Sequence, residues 1–285
     1  MTDSTVRLDE YVTNDSGAYF NASRLIENRI SAFQTIEVFE TFDLGKLMRI
    51  DGCNMVSERD EFFYHENLIH PVATAHPNPQ KALIIGGGDG GAAEEMLKHP
   101  SMAKVTLCEM DADVVEMSMR HFFSVHGGVF DNPRLSLVIG DGIKFIRDAR
   151  EQFDLITLDL TDPVGEAKPL YSQTFFAACK ARLATGGALT IHIGSPFAHP
   201  VRVSQSVANL RAQFCIVNVW FVHIPIYGAT WGFASGSDAL DLGKVSTAEI
   251  DKRLTDRHIG ARQFYNGETH HAMQVLPEYV RALFR

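Results

Sequence analysis

A glycine-rich segment at residues 86–91 carries one carboxylate, Asp89, between an apolar segment typical of a strand and one typical of a helix. Glycines at such a turn let the backbone approach a ligand closely and adopt positive φ, so we expect Gly86 and Gly88 to lie against the ligand. Asp89 would repel a pyrophosphate, and the segment lacks the Lys-Ser/Thr pair of a P-loop. The segment therefore predicts a ligand with a positive charge or hydroxyl groups rather than phosphates.

Two more acids end the next apolar segments. Glu109 ends the second predicted strand, about 20 residues beyond the loop, where an acid commonly binds ribose hydroxyls. A solvated carboxylate at a strand end is the alternative for Glu109. Asp141 follows the third predicted strand and stands between two glycines. Its carboxylate would either accept a hydrogen bond from an adenine amine or cap the helix that follows.

The fourth predicted strand ends in the sequence DLTDPVG, which contains Asp159 and Asp162. Pro163 keeps this segment out of a helix. Two carboxylates so close are costly when they are buried without compensation, so a cation between them or a role for one of them as a base would explain the pair. A Mg²⁺ site is the alternative, but no phosphate-binding feature accompanies it.

These four strand ends together predict an acidic pocket. Such a pocket would hold a nucleoside through its hydroxyls and amines and would also attract positively charged groups. An adenosyl sulfonium is a cationic nucleoside without phosphates. It therefore fits the pattern better than NAD or ATP does.

Alternating strands and helices must position these acids. From residue 81 onward the apolar pattern alternates between the two, which predicts a parallel sheet with helices on both faces. Ligands of such sheets bind beyond the carboxyl ends of the strands, where the acids lie. The predicted strands are residues 82–85, 105–110, 135–139, 155–160, 188–193, 216–224 and 231–234. The predicted helices are residues 92–98, 112–123, 143–149, 174–183 and 201–214.

The N-terminal region has a different pattern. Residues 35–42 and 46–51 alternate at period two, which predicts a small antiparallel sheet, and residues 58–70 are typical of a helix. Three prolines at residues 71–80 predict a boundary. We therefore expect an α/β protein with an N-terminal β-domain and helix (residues 1–70), a linker (71–80) and a Rossmann-like nucleoside-binding catalytic domain (81–285).

The composition excludes several classes of protein. The chain has 285 residues, 45% of them hydrophobic, which is enough for a large core. Its net charge of -9 does not suit a nucleic-acid partner, and no apolar run approaches the roughly 20 residues that span a membrane. The four cysteines are far apart and form no C-x-x-C pair. We therefore expect free thiols, no zinc site and a cytoplasmic location.

Several motifs resemble those of the polyamine aminopropyltransferases, to which spermidine synthase belongs. They are SERDEFFYHE at residues 57–66, IIGGGDGG at 84–91, DLTDPVG at 159–165, and the segment from Tyr265 through His270 to Pro277. The resemblance implies an N-terminal β-domain followed by a methyltransferase-like Rossmann domain. It implies transfer of an aminopropyl group from decarboxylated S-adenosylmethionine, a co-substrate, to a polyamine, with release of methylthioadenosine. It also implies a homodimer or homotetramer, and no metal or further cofactor.

The same resemblance implies roles for individual residues. Asp159 would be the base that takes a proton from the attacking amine. Asp89 and Asp162 would anchor ammonium groups of the donor and acceptor. The residues implied to hold the nucleoside are Gln34, Gly86, Gly88, Asp89, Glu109 (ribose), Asp141 and Gly142 (adenine). The residues implied to line the amine channel are Tyr64, His65 and Tyr227, and residues 163–171 resemble a loop that closes over the site.

Four departures from the usual spermidine synthase pattern concern the amine side. His192 stands where a Gln is common, Met55 and Glu94 stand where a Gln and an Arg are common, and a Trp expected near Leu8 is missing. Putrescine is the leading acceptor, with agmatine or spermidine as alternatives. His192 would be a substrate contact or a core histidine bonded to a backbone carbonyl, and Trp231 would line the channel or pack in the core. An S-adenosylmethionine-dependent methyltransferase and a non-catalytic binding protein are the other hypotheses.

Overall fold

The computed structural model describes residues 5–163 and 165–285, which form two β-sheets with helices packed against the larger one. The smaller sheet is antiparallel and keeps its strands in sequence order, as predicted for the N-terminal region. Its strands are β1 (Val6–Tyr11), β2 (Gly17–Ile30), β3 (Thr35–Thr41), β4 (Lys46–Ile50) and β5 (Cys53–Ser57).

The alternation of apolar residues decides which face of this smaller sheet is buried. In β3, Ile36 and Val38 are fully buried, whereas Glu37 between them is partly exposed. Side chains alternate between the two faces of a strand, so one face becomes apolar. That face packs in one hydrophobic cluster with Val114 and Phe122, which follow the glycine loop in the sequence. The small sheet thereby lies close to the predicted nucleoside site.

Helix α1 (Glu61–Ala75) corrects the prediction that a helix ends at residue 70 and a linker begins at Pro71. A proline inside a helix has no N–H to donate to the carbonyl four residues earlier. In this helix that carbonyl, on Asn67, accepts a hydrogen bond from Trp220 Nε1 at 2.9 Å. The buried indole therefore satisfies the group that Pro71 leaves free, and the helix continues. The division of the chain into domains at residues 71–80 stays a prediction.

The larger sheet contains the strands predicted from the alternating pattern. In spatial order they run β11-β12-β10-β9-β6-β7-β8, and β6 to β10 are parallel to their neighbours within that group. Their bounds are β6 (Lys81–Gly86), β7 (Lys104–Glu109), β8 (Leu135–Ile139), β9 (Phe153–Asp159), β10 (Leu183–Gly194), β11 (Ile216–Ile224) and β12 (Ala229–Ser237).

Strand β12 departs from the predicted parallel arrangement. It is antiparallel to both β10 and β11 and lies between them. Only residues 225–228 connect β11 to β12, which is too short for the crossover that a parallel neighbour requires. The two strands therefore form a hairpin, and this hairpin carries Tyr227 and Trp231 toward the ends of the parallel strands.

Helices cover both faces of the larger sheet, as predicted. On one face Leu68 and Met96 pack with Ile84, and on the other Phe176 and Val207 pack with the neighbouring residues of β6. Within the described part of the chain, none of the helices combines the length and the apolar character needed to cross a membrane. The helices after α1 are α2 (Gly91–Leu97), α3 (Ala112–His121), α4 (Phe123–His126), α5 (Gly142–Asp148), α6 (Gln173–Lys180), α7 (Pro200–Arg211), α8 (Thr247–Asp256), α9 (Gly267–Ala272) and α10 (Glu278–Ala282).

Candidate active site

The glycine loop lies directly against the end of β9. Gly86 is paired with Asp159 across the two strands, and Gly87 N donates a hydrogen bond to the Asp159 carbonyl at 2.9 Å. Gly86 has a φ of +82°, and a Cβ there would lie 1.9 Å from the same carbonyl oxygen. A Cβ on Gly87 would lie 2.7 Å from Asp159 Oδ2. Glycine is therefore required at both positions for the loop to border this carboxylate.

Asp159 has one oxygen engaged and one free. Its Oδ1 accepts a hydrogen bond from the Tyr64 hydroxyl at 2.9 Å. Its Oδ2 is buried and has no hydrogen-bond partner among the described residues. Burial raises the pKa of Asp159 to about 7, and the negative charge of Asp89 adds to the effect. An unpartnered buried carboxylate with a raised pKa is suited to take a proton from a ligand.

Asp89 is the second acid of the site, and the chain supplies it with a positive neighbour. Gly91 N donates to Asp89 Oδ1 at 2.8 Å, and His65 Nε2 lies 3.5 Å from the same oxygen. Burial opposes ionisation of Asp89, but its interactions with His65 and Gly91 outweigh that effect and hold its pKa below the usual range.

His65 itself lies between two acids. Its Nδ1 is 2.7 Å from Glu61 Oε2, one turn earlier on α1. Burial lowers the pKa of His65, but Asp89 and Glu61 together raise it well above its ordinary value. The ring is 2% exposed. It therefore lies behind Asp89 and forms almost none of the exposed surface of the channel. A Cβ on Gly91 would lie 2.3 Å from this ring, which explains a glycine at the start of α2.

One group of side chains in the described chain has the arrangement of potential metal ligands. Ligand atoms of His65, Asp89 and Asp159 all lie within 4.8 Å of one another. The Mg²⁺ alternative from the sequence paired Asp159 with Asp162, and Asp162 is not in this group. The Nδ1 of His65 is already occupied by Glu61, so only its Nε2 faces the carboxylates. The cluster is equally able to hold an ammonium group, which brings its own hydrogen-bond donors.

The predicted ribose acid lies on the other side of the loop. Glu109 ends β7, and its Oε1 accepts a hydrogen bond from Asp111 N at 2.9 Å. Burial raises the pKa of Glu109 to about 7. A Cβ on Gly88 would lie 3.0 Å from Glu109 Cγ, so this glycine keeps the space between loop and acid narrow. Gly88 and Glu109 are therefore adjacent, and the ribose contact of Glu109 stays a prediction.

Gln34 reaches this side of the site through Asp111, which no motif in the sequence indicated. Its Nε2 donates to Asp111 Oδ2 at 2.9 Å, and Ser31 Oγ donates to the same oxygen at 2.6 Å. Asp111 caps the N-terminus of α3 by accepting a hydrogen bond from Asp113 N. The buried Asp111 thus ties the small sheet to the end of β7. The only sign of this role in the sequence was the position of Asp111, an acid two residues beyond Glu109.

Asp141 has the second of its two predicted roles. It is the N-cap of α5, where its Oδ1 accepts from Ile143 N at 2.7 Å, and its side chain is exposed. A Cβ on Gly142 would lie 2.4 Å from Ile85 Cγ2, so the helix start packs closely on β6. The adenine contact inferred for Asp141 and Gly142 stays a prediction.

The acceptor side is built from aromatic rings and one ion pair. The Tyr64 ring lies 6.2 Å from the ring of Tyr227, which in turn lies 4.8 Å from Trp231. Asp162, expected to anchor an ammonium group, has its Oδ2 2.7 Å from Arg202 Nη1. No motif in the sequence indicates Arg202, because nothing in the spacing of the chain links it to Asp162.

His192 lies in the core and contacts a backbone carbonyl, as one of its two predicted roles requires. It is 3% exposed, its Nδ1 accepts from Trp231 Nε1 at 3.2 Å, and its Nε2 lies 2.7 Å from the Leu160 carbonyl. Because Nδ1 accepts, Nε2 carries the proton and donates to that carbonyl. Burial lowers the pKa of His192, in keeping with a neutral ring. Tyr171 extends the network, since its hydroxyl contacts His192 Nε2 at 2.7 Å and donates to the Thr161 carbonyl at 3.0 Å.

The remaining departures lie at different distances from the site. The Met55 carbonyl accepts a hydrogen bond from the Tyr227 hydroxyl at 3.3 Å, so this backbone borders the channel. Glu94 pairs with Lys98 at 2.9 Å on α2, and Leu8 is buried in the core. Of the predicted closing loop at residues 163–171, Val164 lies outside the described residues, and Gly165–Tyr171 forms a 3-10 helix.

Comparisons with known proteins agree with this geometry. The family model for the spermine/spermidine synthase domain matches residues 61–245. A polyamine aminopropyltransferase from Nitrosomonas europaea is 43% identical over 274 residues, covering 96% of this chain and 84% of that protein. Polyamine aminopropyltransferase 1 from Pseudomonas aeruginosa is 36% identical over 265 residues, covering 93% and 92%.

Solved structures show the same similarity. A crystal structure of spermidine synthase in complex with the transition state analogue AdoDATO has a TM-score of 0.91 at 33% identity, covering 98% of this chain and 94% of that one. The spermidine synthase from Thermotoga maritima has a TM-score of 0.88 at 32% identity, covering 98% and 93%.

Proposed function

Because this chain belongs to the spermine/spermidine synthase family and is an aminopropyltransferase, we propose that it transfers the aminopropyl group of decarboxylated S-adenosylmethionine to putrescine. The products are spermidine and methylthioadenosine. The observation that carries the proposal is the buried Asp159 carboxylate, which has an unpartnered Oδ2 and a pKa raised to about 7. A carboxylate oxygen that is buried without a partner needs a hydrogen-bond donor from a ligand, and the attacking amine supplies one.

The proposed reaction uses Asp159 as its base. An alkylammonium has a pKa near 10.4, so most of the acceptor is protonated at neutral pH and cannot attack. Asp159 takes one proton from this nitrogen, whose lone pair then forms a bond to the aminopropyl carbon attached to sulfur. The carbon–sulfur bond breaks, and its electron pair stays on sulfur, which becomes a neutral thioether. Because the leaving group is neutral, the reaction requires no oxyanion hole.

The nucleoside part of the donor is proposed to bind along the ends of β6, β7 and β8. Glu109 would accept hydrogen bonds from the ribose hydroxyls, close to the glycine loop at Gly86 and Gly88. Asp141 and Gly142 would hold the adenine, and the free oxygen of the Asp141 cap leaves an acceptor for the exocyclic amine. Gln34 would act from the small sheet, where its bond to Asp111 already holds it beside Glu109.

The charged groups of both substrates are proposed to meet the acids around Asp159. Asp89 is kept ionised by His65 and would attract the ammonium group of the donor. Asp162 would anchor the distal ammonium of the acceptor, whose chain would run along the rings of Tyr64 and Tyr227. We propose no metal at the His65, Asp89 and Asp159 cluster, because these ammonium groups supply the positive charge that it needs. A cytoplasmic location and a homodimer or homotetramer remain predictions from the sequence.

A competition assay tests this function. The purified protein is incubated with decarboxylated S-adenosylmethionine and equal amounts of putrescine, cadaverine, agmatine and spermidine, with and without EDTA, and the products are identified by mass. We expect spermidine to form fastest and EDTA to have no effect. A parallel reaction with S-adenosylmethionine tests methyl transfer.

Each outcome of the assay bears on a different part of the proposal. Preferential aminopropylation of agmatine or spermidine would overturn putrescine as the acceptor while leaving the aminopropyl transfer intact. Loss of activity in EDTA, restored by a divalent cation, would overturn the proposal that the acidic cluster holds no metal. Methylated amines in the parallel reaction would point to the methyltransferase hypothesis instead.

A further inference from the structure

Arg202 of α7 carries a half-buried guanidinium at the end of the channel away from Asp159. Its side chain is 17% exposed, its Nη1 lies 2.7 Å from Asp162 Oδ2, and its Nη2 lies 2.6 Å from His199 Nδ1. The backbone opposite is shaped to admit it. Gly194 has a φ of +86°, and a Cβ there would lie 2.7 Å from Arg202 Nη2. The guanidinium therefore occupies a built site rather than a chance surface position.

A row of aromatic rings connects Arg202 to the reaction centre. Tyr64 donates to Asp159 and lies 6.2 Å from Tyr227, which lies 4.8 Å from Trp231. The Arg202 guanidinium carbon lies 5.8 Å from the centre of the Trp231 ring. An extended amine that follows these rings from Asp159 would reach Asp162 and meet Arg202 there. Asp162 Oδ2 faces the guanidinium, so Oδ1 is the oxygen that would receive one ammonium group.

The space beyond Arg202 does not favour another ammonium group. A cavity of about 520 Å³ lies next to His199, the residue that contacts the Arg202 Nη2. The described residues that line it include none with an acidic side chain; they are Tyr11, Val12, Thr13, Asn14, Ala198 and His199. A third ammonium group placed there would find no carboxylate among these lining residues, and the Arg202 guanidinium contacts one of them, His199.

Glu10 is the other acid in this direction. Its Oε2 accepts a hydrogen bond from Asn54 N at 2.7 Å. Burial raises the pKa of Glu10 to about 7, and the charge of Asp162 contributes to the increase. Glu10 therefore carries only part of a negative charge at neutral pH. Arg202, 2.7 Å from Asp162, places a positive charge at the same end.

We propose that Arg202 restricts the acceptor to diamines by placing a fixed positive charge where the additional ammonium group of a triamine would have to lie. The inference rests on the proposed function, in which Asp162 anchors the distal end of the acceptor. Arg202 acts on selectivity through charge repulsion and takes no part in the proton transfer at Asp159.

Three variants test the inference by steady-state kinetics with putrescine, cadaverine and spermidine. Arg202→Met removes the charge and keeps much of the bulk. We expect it to raise the ratio of kcat/KM for spermidine over putrescine roughly tenfold or more, mainly through a lower KM for spermidine. The ratio for cadaverine over putrescine should stay unchanged, because cadaverine adds a methylene and no charge. Arg202→Lys keeps the charge and should keep the wild-type ratios.

Arg211→Met is the matched control. Arg211 ends the same helix and donates to the Phe284 carbonyl, away from Asp162. This variant should leave every ratio unchanged. If Arg202→Met does not fold, Arg202→Gln, which keeps a donor toward Asp162, serves in its place with the same expected rise.

Two results would overturn the inference while leaving the proposed function intact. In the first, Arg202→Met lowers kcat/KM for putrescine and spermidine equally, which would make Arg202 a residue that only orients Asp162. In the second, the wild-type enzyme uses spermidine readily in addition to putrescine and loses that activity in Glu10→Gln, which would make Glu10 the anchor of a third ammonium group. A wild-type enzyme that forms no spermidine from putrescine would instead refute the proposed function.

Discussion

Helix α1 presents two buried histidines to two separate clusters of acids. His65 contacts Asp89 beside the glycine loop, where the Asp159 carboxylate keeps one oxygen without a partner. His70, five residues later, lies 2.9 Å from Glu95 Oε2, and Lys98 lies 2.8 Å from the other oxygen of the same carboxylate. Both clusters combine histidine with carboxylate; the acids beside His65 are half-buried, and Glu95 is buried. They differ in whether each acid has a positive partner.

That difference separates a structural cluster from a reactive one. Burial opposes ionisation of Glu95, but His70 and Lys98 outweigh it and lower the pKa of Glu95 to about 2. Asp159 forms no ion pair within the described residues, and burial raises its pKa to about 7 although the charge of His65 opposes the increase. A buried acid that already has its counter-charge holds the fold together, whereas an acid that lacks one gains stability only when a cation binds. Burial and charge alone would not distinguish the two.

The variant Asp159→Asn should break the reactive cluster with the largest effect on activity. Loss of a general base should lower kcat by roughly 10²- to 10⁴-fold. The pKa of Asp159 rises on folding, so its contribution to stability is present at low pH and is lost as the pH rises through about 7. At pH 8 the variant should therefore have a melting temperature equal to or above that of the wild type.

Steady-state kinetics and thermal unfolding at pH 8 measure the two effects of Asp159→Asn. Asp148→Asn is the matched control for kcat, because it changes an exposed acid at the end of α5 that pairs with Arg147 and has no part in the proposed site. A kcat within about tenfold of wild type would show that Asp159 is not the base.

Glu95→Gln should break the structural cluster and leave the chemistry intact. Removing one partner of a buried ion pair costs about 3 kcal/mol of unfolding free energy, which corresponds to a melting temperature lower by roughly 6–12 °C in a chain of this size. The lowered pKa of Glu95 means that its stabilisation is present above its unfolded pKa and is lost as the pH falls toward 2. Calorimetry at pH 7 measures the loss, and kcat of the folded protein should be unchanged.

Glu94→Gln provides the comparison for Glu95. It lies on the same helix and pairs with the same lysine, but its side chain is 28% exposed against 3% for Glu95. The change should therefore shift the melting temperature much less. Equal shifts of the melting temperature in the two variants would mean that burial does not determine how strongly each glutamate stabilises the fold.

The sequence predicted much of the reactive cluster and none of the structural one. Asp159 and Asp89 were expected to meet because parallel strands bring their carboxyl ends to one edge, and the structure places them together. The Glu95 cluster depends on how α1 packs against α2, and no local pattern encodes that contact. The same holds for Arg202, which lies 40 residues beyond Asp162 and meets it only through the fold.

Two features of the fold could not be predicted from local patterns in the sequence. Pro71 was expected to mark the end of a helix, because the sequence gives no sign that Trp220 would satisfy the carbonyl it leaves free. The antiparallel direction of β12 depends on the short connection after Ile224, and the apolar pattern of the strand does not report direction. Patterns along the chain indicate which residues are buried, whereas long-range hydrogen bonds decide where an element ends.

His192→Ala should affect the reactive cluster indirectly, through the backbone next to Asp159. The ring donates to the Leu160 carbonyl, directly after Asp159, so its loss should loosen the backbone that carries the base. We expect kcat to fall about tenfold, since small displacements of a reacting group are costly. His192→Gln, which can donate to the same carbonyl, should recover most of the activity. A variant with a higher KM for the amine and an unchanged kcat would make His192 a substrate contact instead.

Tyr64→Phe should make the smallest change, and it tests why Asp159 differs from Glu95. The Tyr64 hydroxyl is the hydrogen-bond donor that favours the charged form of Asp159 and so lowers its pKa against the effect of burial. Without it the pKa should rise by about 0.7, the equivalent of one hydrogen bond of about 1 kcal/mol. Because the base must be deprotonated, the acid limb of kcat/KM should move to higher pH by that amount.

The matched control for Tyr64→Phe is the other tyrosine of the aromatic row. The Tyr227 hydroxyl donates to the Met55 carbonyl and not to Asp159, so Tyr227→Phe should leave the position of the acid limb unchanged. A limb that moves to lower pH in Tyr64→Phe would contradict the assignment of Asp159 as the titrating base. A limb that moves only in Tyr64→Phe, and upward, would tie the pH dependence to the Asp159 carboxylate. Glu95 already has its positive partners, so its ionisation should not contribute to the pH dependence of activity.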